Sequence, residues 1–168
     1  MAERDERFGH VRVEVDRVAG LVEVSGAAVP RVLLRRREAE PRHPHAPIGT
    51  RDPARLDLLA AGRRWEVAPA GGGLTRRSHR VDARRDAVRL RLVPCTSERS
   101  KLLRDGRELG RLWSVCDGGS APDVSARWRA PGRVEPVDAA IGYALAAGFG
   151  TGAQAWFVTL LLRALVRS

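Results

Sequence analysis

The sequence predicts a mainly β fold: an antiparallel β-barrel or sandwich with an apolar C-terminal helix, or a broken helix pair, packed in or against it. Three observations carry that expectation. Short stretches of period-two alternation recur along the first three quarters of the chain. Turn-forming residues separate them at the spacing of an antiparallel meander. The chemistry then changes, because no charged residue occurs between Ala139 and Leu162. At 168 residues the chain has the length of one domain. It reads as a single domain over 1–168, with a strand-rich body over 8–130, a Pro-rich loop over 38–55 and an apolar helical segment over 137–167.

The elements follow in order. Val11, Val13 and Val15 alternate with Arg12 and Glu14, which predicts a half-buried strand. Leu21 to Val24 predicts a second, and Val29 to Arg37 a third, with Pro30 placing its start at an edge. Pro41, Pro44, Pro47 and Pro53, with His43 and His45, predict an exposed loop. Leu56 to Leu59 and Trp65 to Val67 resume the strands. Val81, Val88, Leu90 and Leu92 predict a further pair, with Arg89 and Arg91 on the opposite face. Ser97 to Leu103 reads as a short helical turn capped by Thr96 or Ser97. Asp105-Gly106 is a hairpin signal, and Val124, Ala126, Trp128 and Ala130 alternate with Ser125, Arg127 and Arg129. That makes roughly seven to nine strands at the spacing of a sandwich or barrel. Trp65, Trp113, Trp128 and Trp156 all read as core.

Pro136 and Asp138 announce a helix start. Ile141, Tyr143, Leu145 and Phe149 are its structural residues. Trp156 and Phe157 belong to a second apolar segment beyond the glycines of Gly148-Phe149-Gly150-Thr151-Gly152. A helix apolar on every side belongs in a protein core or a bilayer. The length of the uncharged run allows a span, which needs about 20 apolar residues. The glycines and alanines favour burial, where small residues let strands approach closely. A C-terminal tail anchor on a β domain is the alternative.

The net charge of +10 comes almost entirely from arginine. The excess sits between residues 31 and 101, so an anion-facing surface belongs there. Its candidate residues are Arg76, Arg77, Arg80, Arg84, Arg85, Arg89 and Arg91, a set that can grip phosphate groups. A solvated face with the coding bias of a GC-rich genome is the competing explanation. Anionic lipid or a membrane surface, nucleic acid and an acidic protein are the partners this charge admits.

No catalytic or cofactor motif stands beside these arginines. Cys95 and Cys116 lack a C-x-x-C pairing, and the four histidines His10, His43, His45 and His79 do not make a zinc spacing. No G-x-S-x-G occurs, and the glycines after residue 147 follow a helix, where a dinucleotide fingerprint follows a strand. Asp105, Glu108 and Asp117 read as turn acids. The N-terminus, Met1 to Arg7, is charged and carries no apolar signal core. The chain therefore reads as a non-enzymatic module without metal or cofactor, cytoplasmic or peripheral at a membrane.

The hairpin Asp105-Gly106-Arg107-Glu108-Leu109-Gly110-Arg111-Leu112, the strand around Trp128 and the Asp138-led helix together resemble the tubby C-terminal-like superfamily, with its LURP-one-related and scramblase-like branches. The resemblance covers about residues 100–147. It implies a closed β-barrel around a central helix, and an association with membrane phospholipids or regulation. It carries over no catalytic residue. The chain departs from the family pattern at Gly148–Gly152, where the helix breaks and a further apolar segment follows.

Overall fold

The computed structural model describes residues 2–37, 46–71, 76–115, 122–129 and 133–151. Eleven strands follow one another: β1 (Ala2–Asp5), β2 (Gly9–Asp16), β3 (Leu21–Gly26), β4 (Val32–Arg36), β5 (Leu56–Ala60), β6 (Arg63–Pro69), β7 (Val81–Arg85), β8 (Val88–Pro94), β9 (Arg99–Arg104), β10 (Arg107–Val115) and β11 (Asp123–Trp128). Each pairs antiparallel with its chain neighbour, so the spatial order is the sequence order. The sheet curls until β1 and β11 meet, forming a nearly closed barrel. One helix, α1 (Pro136–Phe149), follows the last strand.

Period-two alternation sets the wall. Val11, Val13, Val22, Val24, Leu34, Leu58, Leu90 and Leu92 turn inward and are buried, while their neighbours carry the charges outward. The helix occupies the interior. Every residue from Asp138 to Phe149 is buried, and α1 touches β2 to β5 and β7 to β11. A helix surrounded by strands has no solvent face, which is why its sequence lacks amphipathic periodicity. Gly142 and Gly148 make room: a Cβ on either would stand 2.7 Å from a methyl of Leu102 or Leu34, respectively. The first half of the apolar run is core, as its small residues predict, and is not available to a bilayer. Among the described residues no helix is long and apolar enough to cross a membrane. Trp156 and Phe157 lie outside the described residues.

One carboxylate fastens the seam. Asp5, at the end of β1, is 3 % exposed. It accepts hydrogen bonds from Trp128 Nε1 on β11 (2.9 Å) and from the Tyr143 hydroxyl on α1 (2.7 Å). It also accepts from the backbone amides of Arg7 (2.8 Å) and Phe8 (2.9 Å). First strand, last strand and central helix thus share one acceptor. Phe8 and Tyr143 each pack edge-on against the Trp128 ring.

Three sequence expectations are corrected. Ser97 to Leu103 forms no helical turn. Thr96 Oγ1 accepts from the amides of Glu98 and Arg99 in a tight turn, and Arg99–Arg104 then runs as β9 with Ser100 and Leu102 inward. In the described part of the Pro-rich loop, residues 46–49 are not an exposed excursion, whereas Asp52, Pro53 and Ala54 are exposed. Ile48 is fully buried, and its amide donates to the carbonyl of Gly148 (2.9 Å), closing the barrel over the C-terminal end of α1. Beside it the buried Arg36 donates to the carbonyls of Ile48 and Val18. The third correction concerns Trp113. Trp65 and Trp128 are buried as expected, but Trp113 is only half-buried and faces outward. Pairing shifts between Glu108 and Gly110, where Leu109 is the extra residue of a β-bulge. The bulge inverts the parity of everything after it, so Leu112 enters the core and Trp113 leaves it.

Candidate anion-binding surface

The outer wall of β4 to β11 is organised around three carboxylates, each covered by cations. On β5, Asp57 is 5 % exposed because Arg37 grips it through both oxygens (2.9 and 2.6 Å), with Arg64 at 2.9 Å and Arg35 at 3.5 Å. The Arg37 hydrogen bond, with the charges of Arg37, Arg64 and Arg35, holds the carboxyl below its usual range against the opposing effect of burial. On β7, Asp82 receives Arg91 through both oxygens (2.7 and 2.9 Å) and Arg84 at 3.1 Å. Burial pushes this carboxyl up, and the two arginines together overcome that push and leave it low. On β10, Glu108 faces Arg111 (3.4 Å), Arg129 (3.4 Å) and Lys101 (3.5 Å). Sequence reading took Glu108 for a simple turn acid; it is the centre of a cation cluster. Every cluster keeps a surplus of positive charge.

The predicted arginines divide among different places. Arg84, Arg89 and Arg91 share the outward face of β7 and β8, where Asp82 pairs with Arg91 and Arg84 with Arg89 across the strands. Arg84 and Arg91 are engaged by Asp82, whereas the Arg89 guanidinium has no carboxylate partner among the described residues. Arg85 has the opposite parity. Its guanidinium lies 5.9 Å from the Trp65 ring centroid and 3.3 Å from Asp86. Arg80 is exposed just ahead of β7. Arg76 and Arg77 open a single 3-10 turn, Arg76–His79, and their side chains lie outside the described residues. The set is not one continuous array.

Sequence reasoning missed a neighbouring patch on β9 to β11. Lys101, Arg111 and Arg127 form one cross-strand row, and Arg99, Trp113 and Ser125 form the next. Val115 follows two positions after Trp113, 37 % exposed. Arg127 is exposed, and neither it nor Arg99 has a carboxylate partner among the described residues. An outward indole with a valine two positions on thus stands beside Arg99 and one row from Lys101, Arg111 and Arg127, with Asp123 opposite Val115.

Among the described residues, α1 fills the interior. Among the described residues no three histidine, cysteine or carboxylate side chains gather to hold a metal. Cys95 is a half-buried free thiol, and His43, His45, Cys116 and Asp117 lie outside the described residues. The fold and its wall define a class: a nearly closed antiparallel barrel filled by its own helix. No family model matches the chain, and neither a curated protein nor a solved structure matches it.

Proposed function

We propose that the protein is a non-enzymatic module that docks on anionic membrane surfaces through the outer face of β9 to β11. The observation that carries this reading is Trp113, turned outward by the β-bulge beside Arg99 and one row from Lys101, Arg111 and Arg127. Indole rings favour the lipid–water boundary, and cations beside them add attraction to anionic headgroups. A lumen packed with α1 supports surface binding over chemistry in a pocket. The barrel-around-a-helix architecture is also the one that the tubby-like resemblance implies, and that superfamily is associated with membrane phospholipids.

The test is co-sedimentation of the full chain with phosphatidylcholine vesicles, with and without phosphatidylserine. Binding is expected only with the anionic lipid, and it weakens with salt as the Debye length falls from about 10 Å at 0.1 M to about 3 Å at 1 M. Arg127→Gln weakens it about fivefold, the equivalent of ~1 kcal/mol for one cation near such a surface. Trp113→Ser weakens it further at high salt, where the apolar contribution dominates. Equal sedimentation with both vesicle types overturns the proposal. Strong, salt-steep binding to DNA without vesicle binding assigns the same face to nucleic acid instead.

A further inference from the structure

The mouth of the barrel where α1 enters holds a second cation cluster, on residues that the membrane face does not use. The β9–β10 hairpin turns on Asp105-Gly106, both at positive φ (49° and 85°), which brings Arg104 and Arg107 directly opposite each other. Like charges in that position repel. Arg104 is neutralised from the helix start: its Nη1 lies 2.7 Å from Asp138 Oδ2 and 2.7 Å from Glu135 Oε1. Arg107 has no such relief. It is exposed, as is Arg133, and neither has a carboxylate partner among the described residues.

These residues line a cleft of about 430 Å³, formed by Arg104, Asp105, Arg107, Glu108, Leu109 and Arg133. Of its two acids, Glu108 is held by Lys101, Arg111 and Arg129, and Asp105 accepts the amide of Arg89 (2.9 Å) and lies 4.0 Å from Arg104 Nε. Three arginines against these two acids leave the cleft net positive, with Arg107 and Arg133 as its donors without a carboxylate partner among the described residues.

We infer that this cleft binds a phosphate monoester between Arg107 and Arg133. A monoester dianion carries enough charge and terminal oxygens to engage two guanidinium forks at once, whereas a diester offers a single charge. The cleft has the size of a small-molecule site and is far too small for a polynucleotide. This assignment goes beyond membrane docking and uses different side chains, so either can fail alone.

The test is titration of the full chain with glycerol 3-phosphate, followed by calorimetry and by the phosphorus resonance of the ligand. Glycerol 3-phosphate is expected to bind, and glycerophosphocholine, a diester, is not expected to displace it. Replacing both arginines, Arg107→Gln with Arg133→Gln, weakens binding at least about tenfold, the loss of charge-assisted hydrogen bonds. Arg12→Gln, on the outer face of β2, leaves it unchanged. A parallel arm separates the sources of the ester. Retention on phosphatidic acid vesicles above phosphatidylglycerol vesicles, abolished by the double substitution, assigns a lipid headgroup; binding of the free ester alone assigns a soluble one. The inference is overturned if glycerol 3-phosphate does not bind. It is equally overturned if the double variant, melting at the wild-type temperature, binds it as tightly.

Discussion

Replacing Asp5 with alanine removes the acceptor shared by β1, β11 and α1. The Trp128 indole, the Tyr143 hydroxyl and the Phe8 amide each lose a hydrogen bond in a buried setting. A buried donor left without a partner costs about 1–3 kcal/mol. Breaking such a network therefore predicts a loss of about 4 kcal/mol, a large part of the ~5–15 kcal/mol that holds a domain folded. Tyr143→Phe deletes only one donor and leaves the carboxylate its others, so it costs about 1 kcal/mol. In the double variant the Asp5–Tyr143 bond is lost only once, so the combined loss falls short of the sum of the two by about that amount. Urea unfolding at neutral pH, read by tryptophan fluorescence and circular dichroism, measures all three. Asp5→Ala within about 0.5 kcal/mol of wild type would show that the seam does not depend on this carboxylate. Strict additivity with Tyr143→Phe would separate the helix from it.

Gly110→Ala is expected to lower stability by about 1–3 kcal/mol, because its Cβ would lie 2.6 Å from the Arg127 carbonyl and 2.8 Å from the Trp128 ring. Gly142→Ala meets only a leucine methyl and costs less, and thermal melts that reverse this order would contradict the packing described. Acid titration of stability separates the carboxylates by sign. Asp57 and Asp82 are held low in the fold, so their contribution is complete above about pH 4 and is lost as the pH falls below it; Asp57→Asn flattens that acid limb in urea titrations. Asp138 is pushed up, first by burial, against the pull of Arg104. Its proton is held more tightly in the fold, so its contribution declines as the pH rises from about 4, and Asp138→Asn removes that decline. A chain ending at Glu135 lacks the helix that fills the barrel, and calorimetry is expected to show no cooperative melting.

The wall of the barrel was legible because alternation is local: Val11-Val13-Val15 or Val88-Leu90-Leu92 needs no knowledge of the partner strand. The helix start was equally clear from Pro136 at the first turn and Asp138 in the capping box. β1 was not legible, since Ala-Glu-Arg-Asp has no apolar alternation and its place comes from the bonds of Asp5. The candidate face was read only in part. Charge counting found Arg84, Arg89 and Arg91, but strand parity placed Arg85 against Trp65, and Asp82 tied up two of the three. Trp113 was hidden by the bulge at Leu109, since one extra residue reverses every inward and outward assignment after it. Two consecutive apolar residues, Leu112-Trp113, after a D-G hairpin are the sequence signal for such a shift.

The bond between Asp5 and Tyr143 joins residues 138 positions apart, and the helix it reaches comes after all eleven strands. During synthesis the strands emerge in order, each able to pair with its neighbour, while the side chains meant for the interior have nothing to pack against. Closure must wait for α1. Folding dominated by such distant contacts is slow, and until the helix arrives the open sheet presents its rows of valine and leucine to whatever else is nearby. The same late helix that makes the finished barrel solid leaves the unfinished one with an open apolar face that favours association.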